Sequence, residues 1–146
     1  MKVREVMTQR PSTCSPTDTC AQAATLMKQQ DCGSVPVVEG GKLVGIVTDR
    51  DIVVRSVAAG KDPKTQRVAE IMSADPVTVS PDDDVAKAAK VMADRQVRRL
   101  PVVEKGMLVG LLVTAQVARH ESTREIGETI KDISGPASGR GSHARG

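Results

Sequence analysis

The sequence predicts an α/β protein of the α+β type, built from two tandem β-α-β-β-α repeats. The first observation is an internal repeat with an offset of 65 residues, because residues 3–51 laid on residues 68–116 are identical at 20 of 49 positions. Unrelated chains of ordinary composition would share roughly three or four. The second observation is that both copies carry the same alternation of helical and extended patterns. The third is the length, since 146 residues suit one compact pair of small units.

The first half of each copy predicts a strand and then a helix. A short segment, VREVM or VAEIM, leads past a proline to the extended stretch STCS or VTVS. A Ser-Pro pair follows, and Thr17 and Asp18, or Asp82 and Asp83, are available to cap a helix. Apolar residues at the spacing i, i+4, i+7 indicate that helix, and they are Cys20, Ala24 and Met27 in one copy and Val85, Ala89 and Met92 in the other.

The second half of each copy predicts a hairpin and another helix. The runs VPVVEGGKLVGIV and LPVVEKGMLVGLLV each hold two β-branched stretches around a tight turn. The turns are Gly40-Gly41 and Lys105-Gly106, a pattern typical of two-residue hairpin loops. Helices are predicted after them, from about Asp49 to Ala59 and from about Thr114 to His120.

The repeat also predicts the domain organisation. The first repeat is assigned to residues 1–60, a linker to 61–67, the second repeat to 68–120, and a C-terminal extension ending in a flexible basic tail to 121–146. One repeat of this size buries too little surface to be stable alone. We therefore expect the two repeats to pack sheet to sheet with pseudo-twofold symmetry and two equivalent clefts.

Composition argues against several classes of protein. The chain has no Phe, Tyr or Trp, so it lacks the aromatic platform on which single-stranded nucleic acids stack, and its net charge of +3 is ordinary. No apolar run approaches the length that crosses a bilayer, and the N-terminus lacks the pattern of a secretory signal. A cytoplasmic protein without a membrane or nucleic-acid partner is expected.

The sequence predicts neither catalytic residues nor a metal site. Cys14, Cys20 and Cys32 are odd in number and show no CxxC spacing, so they are expected to act as small hydrophobes. His120 and His143 lie in or near the tail, where they cannot complete a catalytic set in the core. The acidic run at 82–84 is interpreted as a solvated helix start. We expect a protein that is not an enzyme and requires no cofactor.

Several motifs resemble the CBS domain, and their tandem occurrence resembles a Bateman module. They are MT-x-x-P, a Ser-Pro pair, VPVVE, LVGIVT and DRDIV, within residues 1 to about 118, and DRDIVVRSVAAGKDP with QVRRLPVVE resembles the small stand-alone bacterial CBS-pair proteins. The resemblance implies regulatory binding of an adenosine-containing ligand, such as AMP, ADP, ATP or S-adenosylmethionine, in clefts between the repeats. It also implies a homodimer, for which DIVVRSVAA offers an apolar face, and a protein partner that the sequence does not identify.

The ligand signature of that family matches the run from Gly45 to Asp51, GIVTDRD. The resemblance implies that Asp51 binds the ribose hydroxyls, that Thr48 donates to phosphate, and that the helix N-terminus supplies amide donors. Thr-x-x-Asp before an apolar run is also a capping box, so both roles stay open. In the second copy Val113 replaces Thr48 and Gln116 replaces Asp51, so that site is predicted to be degenerate.

By the same resemblance, each cleft draws on both copies. The residues assigned to the first cleft are Gly33, Ser34, Val35, Pro36, Thr48, Asp51, Val77, Ser80, Val97 and Arg98. Those assigned to the second, degenerate cleft are Ser12, Ser15, Arg99, Thr114 and Gln116. Arg98 and Arg99 would meet phosphate, or form a surface pair with neighbouring acids. Because aromatic residues are lacking, aliphatic groups such as Val35, Pro36 and Val77 would sandwich the adenine.

The sequence leaves a second function open. The chain could be a structural or interaction module that binds no ligand and acts through dimerisation. The degenerate second copy favours that alternative, and the intact signature of the first copy opposes it.

Overall fold

The described part of the chain forms two compact units. The computed structural model describes residues 1–120, so the flexible tail predicted within 121–146 lies outside the described residues. The first unit is Ser12–Pro76, and the second unit joins Met1–Pro11 to the residues from Val77 onward. Each unit contains helices and antiparallel strands, which confirms the predicted mixed class.

The elements follow the repeat. In the first copy they are a 3₁₀ helix Val3–Glu5, β1 (Thr8–Gln9), α1 (Cys20–Gln30), β2 (Ser34–Glu39), β3 (Lys42–Thr48) and α2 (Asp49–Asp51), which continues as a π-helix Ile52–Val57. In the second copy they are a 3₁₀ helix Val68–Glu70, α3 (Val85–Arg95), β4 (Arg99–Glu104), β5 (Met107–Val113) and α4 (Thr114–His120).

Both predicted hairpins are confirmed. Strand β2 pairs antiparallel with β3, and β4 with β5. The turn residues Gly40 and Gly41 have φ of 60° and 82°, and Lys105 and Gly106 have φ of 54° and 81°. Two consecutive positive φ angles give the type I′ turn, whose twist matches that of the flanking strands.

The strand expected in STCS and VTVS is reduced to one parallel bridge in each copy. Cys14 bridges to Val37, and Val79 bridges to Val102. A proline stands directly before and directly after each stretch. Because proline has no N–H to donate, the hydrogen-bond ladder cannot extend beyond the stretch in either direction.

The helix caps lie one residue later than expected. Thr19 caps α1 and Asp84 is the N-cap residue of α3, so the prediction of caps at 17–18 and 82–83 is wrong. Asp18 and Asp83 instead accept a hydrogen bond from the backbone N–H three residues earlier, at 2.8 and 2.9 Å. Each carboxylate closes the turn that leads into its helix.

The helix predicted from Asp49 to Ala59 is confirmed as far as Val57, but its second half is wider than an α-helix. The N–H of Ala58 donates to the carbonyl of Val53 at 2.8 Å, a bond that spans five residues. Such π turns are rare in proteins, and those that do occur frequently lie at functional sites.

The first segment of the chain belongs to the body of the second copy. The N–H of Val3 donates to the carbonyl of Asp83, and the N–H of Val85 donates to the carbonyl of Met1, both at 2.9 Å. Strand β1 then pairs antiparallel with β5. The eleven residues Met1–Pro11 thus belong to a unit whose remaining residues begin only at Val77.

The corresponding segment of the second copy lies on the first unit. The N–H of Val68 donates to the carbonyl of Asp18 at 2.8 Å, and the N–H of Cys20 to the carbonyl of Gln66 at 2.9 Å. The two copies at 1–60 and 68–120 therefore exchange their first segments when they form compact units. Local periodicity does not encode this exchange.

A close approach fixes each exchanged segment on its strand. Ser73 bridges to Ile46, and a Cβ added to Gly45 would lie 2.7 Å from the Met72 Sδ and 2.8 Å from the Ser73 carbonyl oxygen. Only glycine leaves this space. Gly110 has the same relation to the first segment of the chain, where an added Cβ would meet a methionine sulfur.

Each unit has its own core. The first unit buries Cys14, Cys20, Ala23, Met27, Val35, Val37, Val47, Ile52, Val68 and Ile71. The second unit buries Val3, Val6, Val79, Val85, Ala88, Ala89, Met92, Leu100, Val102, Leu112 and Val117. The 3₁₀ segments thus supply core residues to the unit on which they lie.

Candidate functional site

The junction between β3 and α2 is closed by a reciprocal capping box. The Oγ1 of Thr48 accepts from the N–H of Asp51 at 3.0 Å, and the N–H of Thr48 donates to the Oδ2 of Asp51 at 2.9 Å. The capping role that the sequence left open is therefore present. A cap and a binding site are compatible, because a hydroxyl that accepts one hydrogen bond can still donate another.

The helix amides do not serve as free donors. The N–H of Asp49 donates to the carbonyl of Gly33 at 2.9 Å, and the N–H of Arg50 donates to the Oδ1 of Asp49 at 2.8 Å. The third amide is bonded to the Thr48 hydroxyl. The expectation that this helix start offers free amides to a phosphate is wrong, because these three amides are already bonded within the chain.

Two polar groups of the capping box can each make a further hydrogen bond. The hydroxyl hydrogen of Thr48 has no acceptor among the described residues, and the Oδ1 of Asp51 accepts no hydrogen bond from them. The Asp51 side chain is 12% exposed, and the Nε of Arg55 lies 3.8 Å from its Oδ1. Arg55 also donates to the carbonyl of Ile71 at 3.1 Å, which connects this carboxylate to the exchanged segment.

A third polar group lies on the neighbouring strand. Ser34 stands opposite Thr48 in the hairpin and is 4% exposed, yet its Oγ has no hydrogen-bond partner among the described residues. A buried hydroxyl without a partner costs free energy unless water or a ligand satisfies it. Pro36 is buried on the same strand, and Val35 is 1% exposed within the core, which gives Val35 a packing role.

Four residues assigned to the first cleft belong to the second unit. Val77, Ser80, Val97 and Arg98 are all half-buried there. The N–H of Ser80 is bonded to the turn carboxylate at 2.9 Å, and Val77 and Val97 pack against the core of that unit.

The equivalent junction of the second copy is internally satisfied. Gln116 is 9% exposed, and its Oε1 accepts from the N–H of Val113 at 2.9 Å. Its Nε2 donates to the Oγ1 of Thr8 at 2.6 Å. The carboxamide oxygen thus accepts one of the two hydrogen bonds of a capping box, and the carboxamide nitrogen donates to the exchanged segment. Val113 has no hydroxyl to accept the second bond of the box.

The remaining residues of the predicted second cleft show varied environments. Ser12 is exposed, and the Oγ of Ser15 lies 3.0 Å from the Oγ1 of Thr17. Arg99 is the half-buried first residue of β4. The Oγ1 of Thr114 donates to the carbonyl just before β4, at 3.2 Å.

Sequence reasoning missed three residues around the junctions. Arg55 could have been found from its i, i+4 spacing to Asp51, which brings opposite charges together on a helix. Thr8 and Ser73 are equivalent in the repeat. Thr8 pairs with Leu111 of β5, and Ser73 bridges to Ile46 of β3. No local signal shows that these residues lie on the other copy.

The cysteines behave as small hydrophobes in the core. Cys14 and Cys20 are buried, and Cys32 is half-buried. Burial, with the negative charge of Asp18 adding to it, raises the pKa of the Cys14 thiol to about 12, and burial also raises the pKa of Cys20. Within residues 1–120, no group of three His, Cys, Asp or Glu side chains could hold a metal ion.

Comparison with known proteins identifies the family. The sequence profile of the CBS domain matches the chain twice, at residues 3–57 and 68–122. The chain belongs to the CBS-domain family. The two matches coincide with the internal repeat, so this CBS pair has two junctions of the kind described above, one with Thr48 and Asp51 and one with Val113 and Gln116.

The CBS pair is similar to small proteins along nearly its whole length. It is 41% identical over 133 residues to the CBS domain-containing protein YhcV of Bacillus subtilis (strain 168), covering 90% of this chain and 94% of that protein. Among solved structures, it is similar to Hypoxic Response Protein I with two coordinated zinc ions, with 32% identity, a TM-score of 0.76 and coverage of 84% and 100%. It is also similar to CBSX2 in complex with AMP, with 26% identity, a TM-score of 0.71 and coverage of 81% and 93%.

These relatives establish the general role of the chain. It is a CBS-pair regulatory module, and its relatives are stand-alone CBS-domain proteins that are regulatory in kind. In the part of the chain that the structure describes, no helix is both long and apolar enough to cross a membrane.

The bond between Thr8 and Gln116 should contribute measurably to stability. Thr8→Ala should lower the free energy of unfolding by about 1 kcal/mol and Gln116→Ala by about 2 kcal/mol, because each leaves a polar group of the other without its partner. The double variant should cost about 1 kcal/mol less than the sum. Urea denaturation of the four proteins measures this coupling.

Ser73→Ala is the matched control, since Ser73 stands at the position of Thr8 but its side chain has no hydrogen-bond partner among the described residues. It should change stability by no more than about 0.5 kcal/mol. Equal losses from Thr8→Ala and Ser73→Ala, or strict additivity in the double variant, would contradict the assigned bond.

Proposed function

We propose that this CBS pair senses an adenosine-containing nucleotide, bound at the junction of β3 and α2. The observation that carries the proposal is a set of three neighbouring polar groups with unused capacity. They are the hydroxyl of Thr48, the Oδ1 of Asp51 and the buried, unpartnered hydroxyl of Ser34.

Two of these groups suit particular parts of a nucleotide. The Oδ1 of Asp51 would accept a ribose hydroxyl, while Oδ2 keeps its bond to the backbone. The Thr48 hydroxyl would donate to a phosphate oxygen.

Two comparisons support this proposal. The related CBSX2 structure contains AMP, so a CBS pair of similar length binds an adenosine nucleotide. Within this chain, the second junction lacks the corresponding groups, because Val113 has no hydroxyl and Gln116 is already bonded on both sides. We therefore propose one competent site, at Thr48 and Asp51.

Asp51→Ala should weaken AMP binding by about tenfold to a hundredfold, because a charged acceptor for hydroxyl groups is lost. Gln116→Ala should leave the affinity within about threefold. Asp51→Asn keeps an oxygen to cap Thr48 and should still weaken binding by about tenfold. Titration calorimetry measures all three, with circular dichroism as the check that each variant is folded.

A larger loss of affinity in Gln116→Ala than in Asp51→Ala would contradict the assignment of the competent site. Unchanged affinity in both would return Thr48 and Asp51 to the role of a helix cap alone.

We also propose that the regulatory partner includes a second copy of the chain. The π-helical part of α2 exposes three apolar side chains, Val53, Val54 and Val57, which are 58%, 46% and 55% exposed. Covering this face would remove apolar surface from water.

Light scattering at micromolar concentration should give the mass of a dimer, and Val53→Asp should shift it toward the monomer. A monomeric wild-type protein under these conditions would exclude the dimer.

A further inference from the structure

The two copies differ at one carboxylate in a way that can be compared atom by atom. In the second unit, the Oδ2 of Asp83 accepts from the N–H of Ser80 at 2.9 Å, and its Oδ1 lies 3.3 Å from the Nζ of Lys87. In the first unit, the Oδ2 of Asp18 accepts from the N–H of Ser15 at 2.8 Å. The Oδ1 of Asp18 has neither a hydrogen-bond donor nor a cation among the described residues.

The missing cation follows from two substitutions in the repeat. Gln22 stands where the second copy has Lys87, and Thr25 stands where it has Lys90. The side chain of Gln22 does not replace the lysine, because its Oε1 accepts from the N–H of Thr19 at 2.8 Å. The Gln22 side chain is therefore engaged in capping α1. The Asp18 carboxylate has no counter-charge among the described residues.

A cavity of about 390 Å³, open to solvent, lies at this carboxylate. The residues that matter for its chemistry are Thr13, Cys14, Asp18, Gln22, Thr25 and Leu26. Cys14, 5% exposed, Ala21 and the half-buried Leu26 provide apolar surface. The remaining lining side chains are polar, and none of the described lining residues is cationic. Burial, and after it the negative charge of Asp18, raises the pKa of the Cys14 thiol that also lines this cavity.

We propose that this cavity binds a primary ammonium group carried on a short aliphatic chain. The ammonium would bind the Oδ1 of Asp18 and the hydroxyls of Thr13 or Thr25, and the methylene groups would cover Cys14 and Leu26. Lys87 shows the fit in the other copy, where a four-carbon side chain places its ammonium on the equivalent oxygen. The lining shares no residue with the proposed nucleotide site at Thr48 and Asp51, so the two proposals stand independently.

The test is a titration of the ¹⁵N-labelled full chain with n-butylammonium, followed by amide chemical shifts. Shifts should concentrate in residues 13–29 and leave the equivalent residues 78–94 nearly unchanged. The dissociation constant should be on the order of 10 mM, because one half-buried ion pair gives weak binding. The uncharged isostere n-butanol should bind at least about tenfold more weakly.

Two variants and one control assign the response to the carboxylate. Asp18→Asn keeps an oxygen for the Ser15 amide but removes the charge, and Gln22→Lys places an internal ammonium where Lys87 stands in the other copy. Each should reduce the affinity for n-butylammonium by about tenfold or more. Asp83→Asn, the matched change in the second unit, should leave it unchanged.

The ammonium could belong to a free aliphatic amine or to a lysine side chain of another protein. Tighter binding of 1,4-diaminobutane than of N-acetyl-lysine methylamide would support a free amine, and the reverse would support a lysine. Equal shifts from n-butanol and n-butylammonium, an undiminished response in Asp18→Asn, or equal shifts in residues 78–94 would overturn the proposal. An absence of any shift at about 100 mM would overturn it as well.

Discussion

The close approach of an exchanged segment to a glycine is the constraint on which both junctions depend. A methionine sulfur and a backbone carbonyl fill the space that a Cβ on Gly45 would need. Gly110 has the same relation to the methionine and the carbonyl of the other segment. Because the approach is tight, the residue after each methionine bridges the strand next to the junction. The segment therefore contributes to the junction as well as to the core.

The same backbone supports two different chemical outcomes at the junctions. In the second copy, Gln116 bonds to Thr8 and to the backbone, which leaves its carboxamide oxygen and nitrogen each with a partner. In the first copy, the cap uses one carboxylate oxygen of Asp51 and the acceptor side of the Thr48 hydroxyl. The proposed binding site is compatible with the helix cap, because carboxylates and hydroxyls can make more hydrogen bonds than a cap requires. The two hydrogen bonds of the cap also fix the orientation of both side chains.

The sequence predicted the elements well because their signals are local. The hairpins rest on paired positive-φ turn residues, and the helices rest on apolar spacing. The exchange of segments could not be predicted from these signals. The local patterns of VREVM and VAEIM do not depend on which unit each segment packs against. The candidate site shows the same division. Thr48 and Asp51 match a local motif, whereas the contact of Gln116 with Thr8 spans 108 positions and follows only from the fold. The hydrogen bonds that occupy the first amides of α2 could not be predicted from the sequence either. Their acceptors are set by the hairpin register and by the conformation of the Asp49 side chain.

The number of nucleotides bound per chain tests the central claim most directly, because the claim is that one junction is open and the other is satisfied from within. Calorimetric titration of the wild-type protein with AMP should give a stoichiometry of about one per chain, since one-site binding yields a single inflection at that ratio. Two nucleotides per chain of similar affinity would show that the bond between Gln116 and Thr8 does not close the second junction. A titration without binding heat at any temperature, together with an unchanged melting temperature, would show that the Thr48 and Asp51 junction is not a nucleotide site.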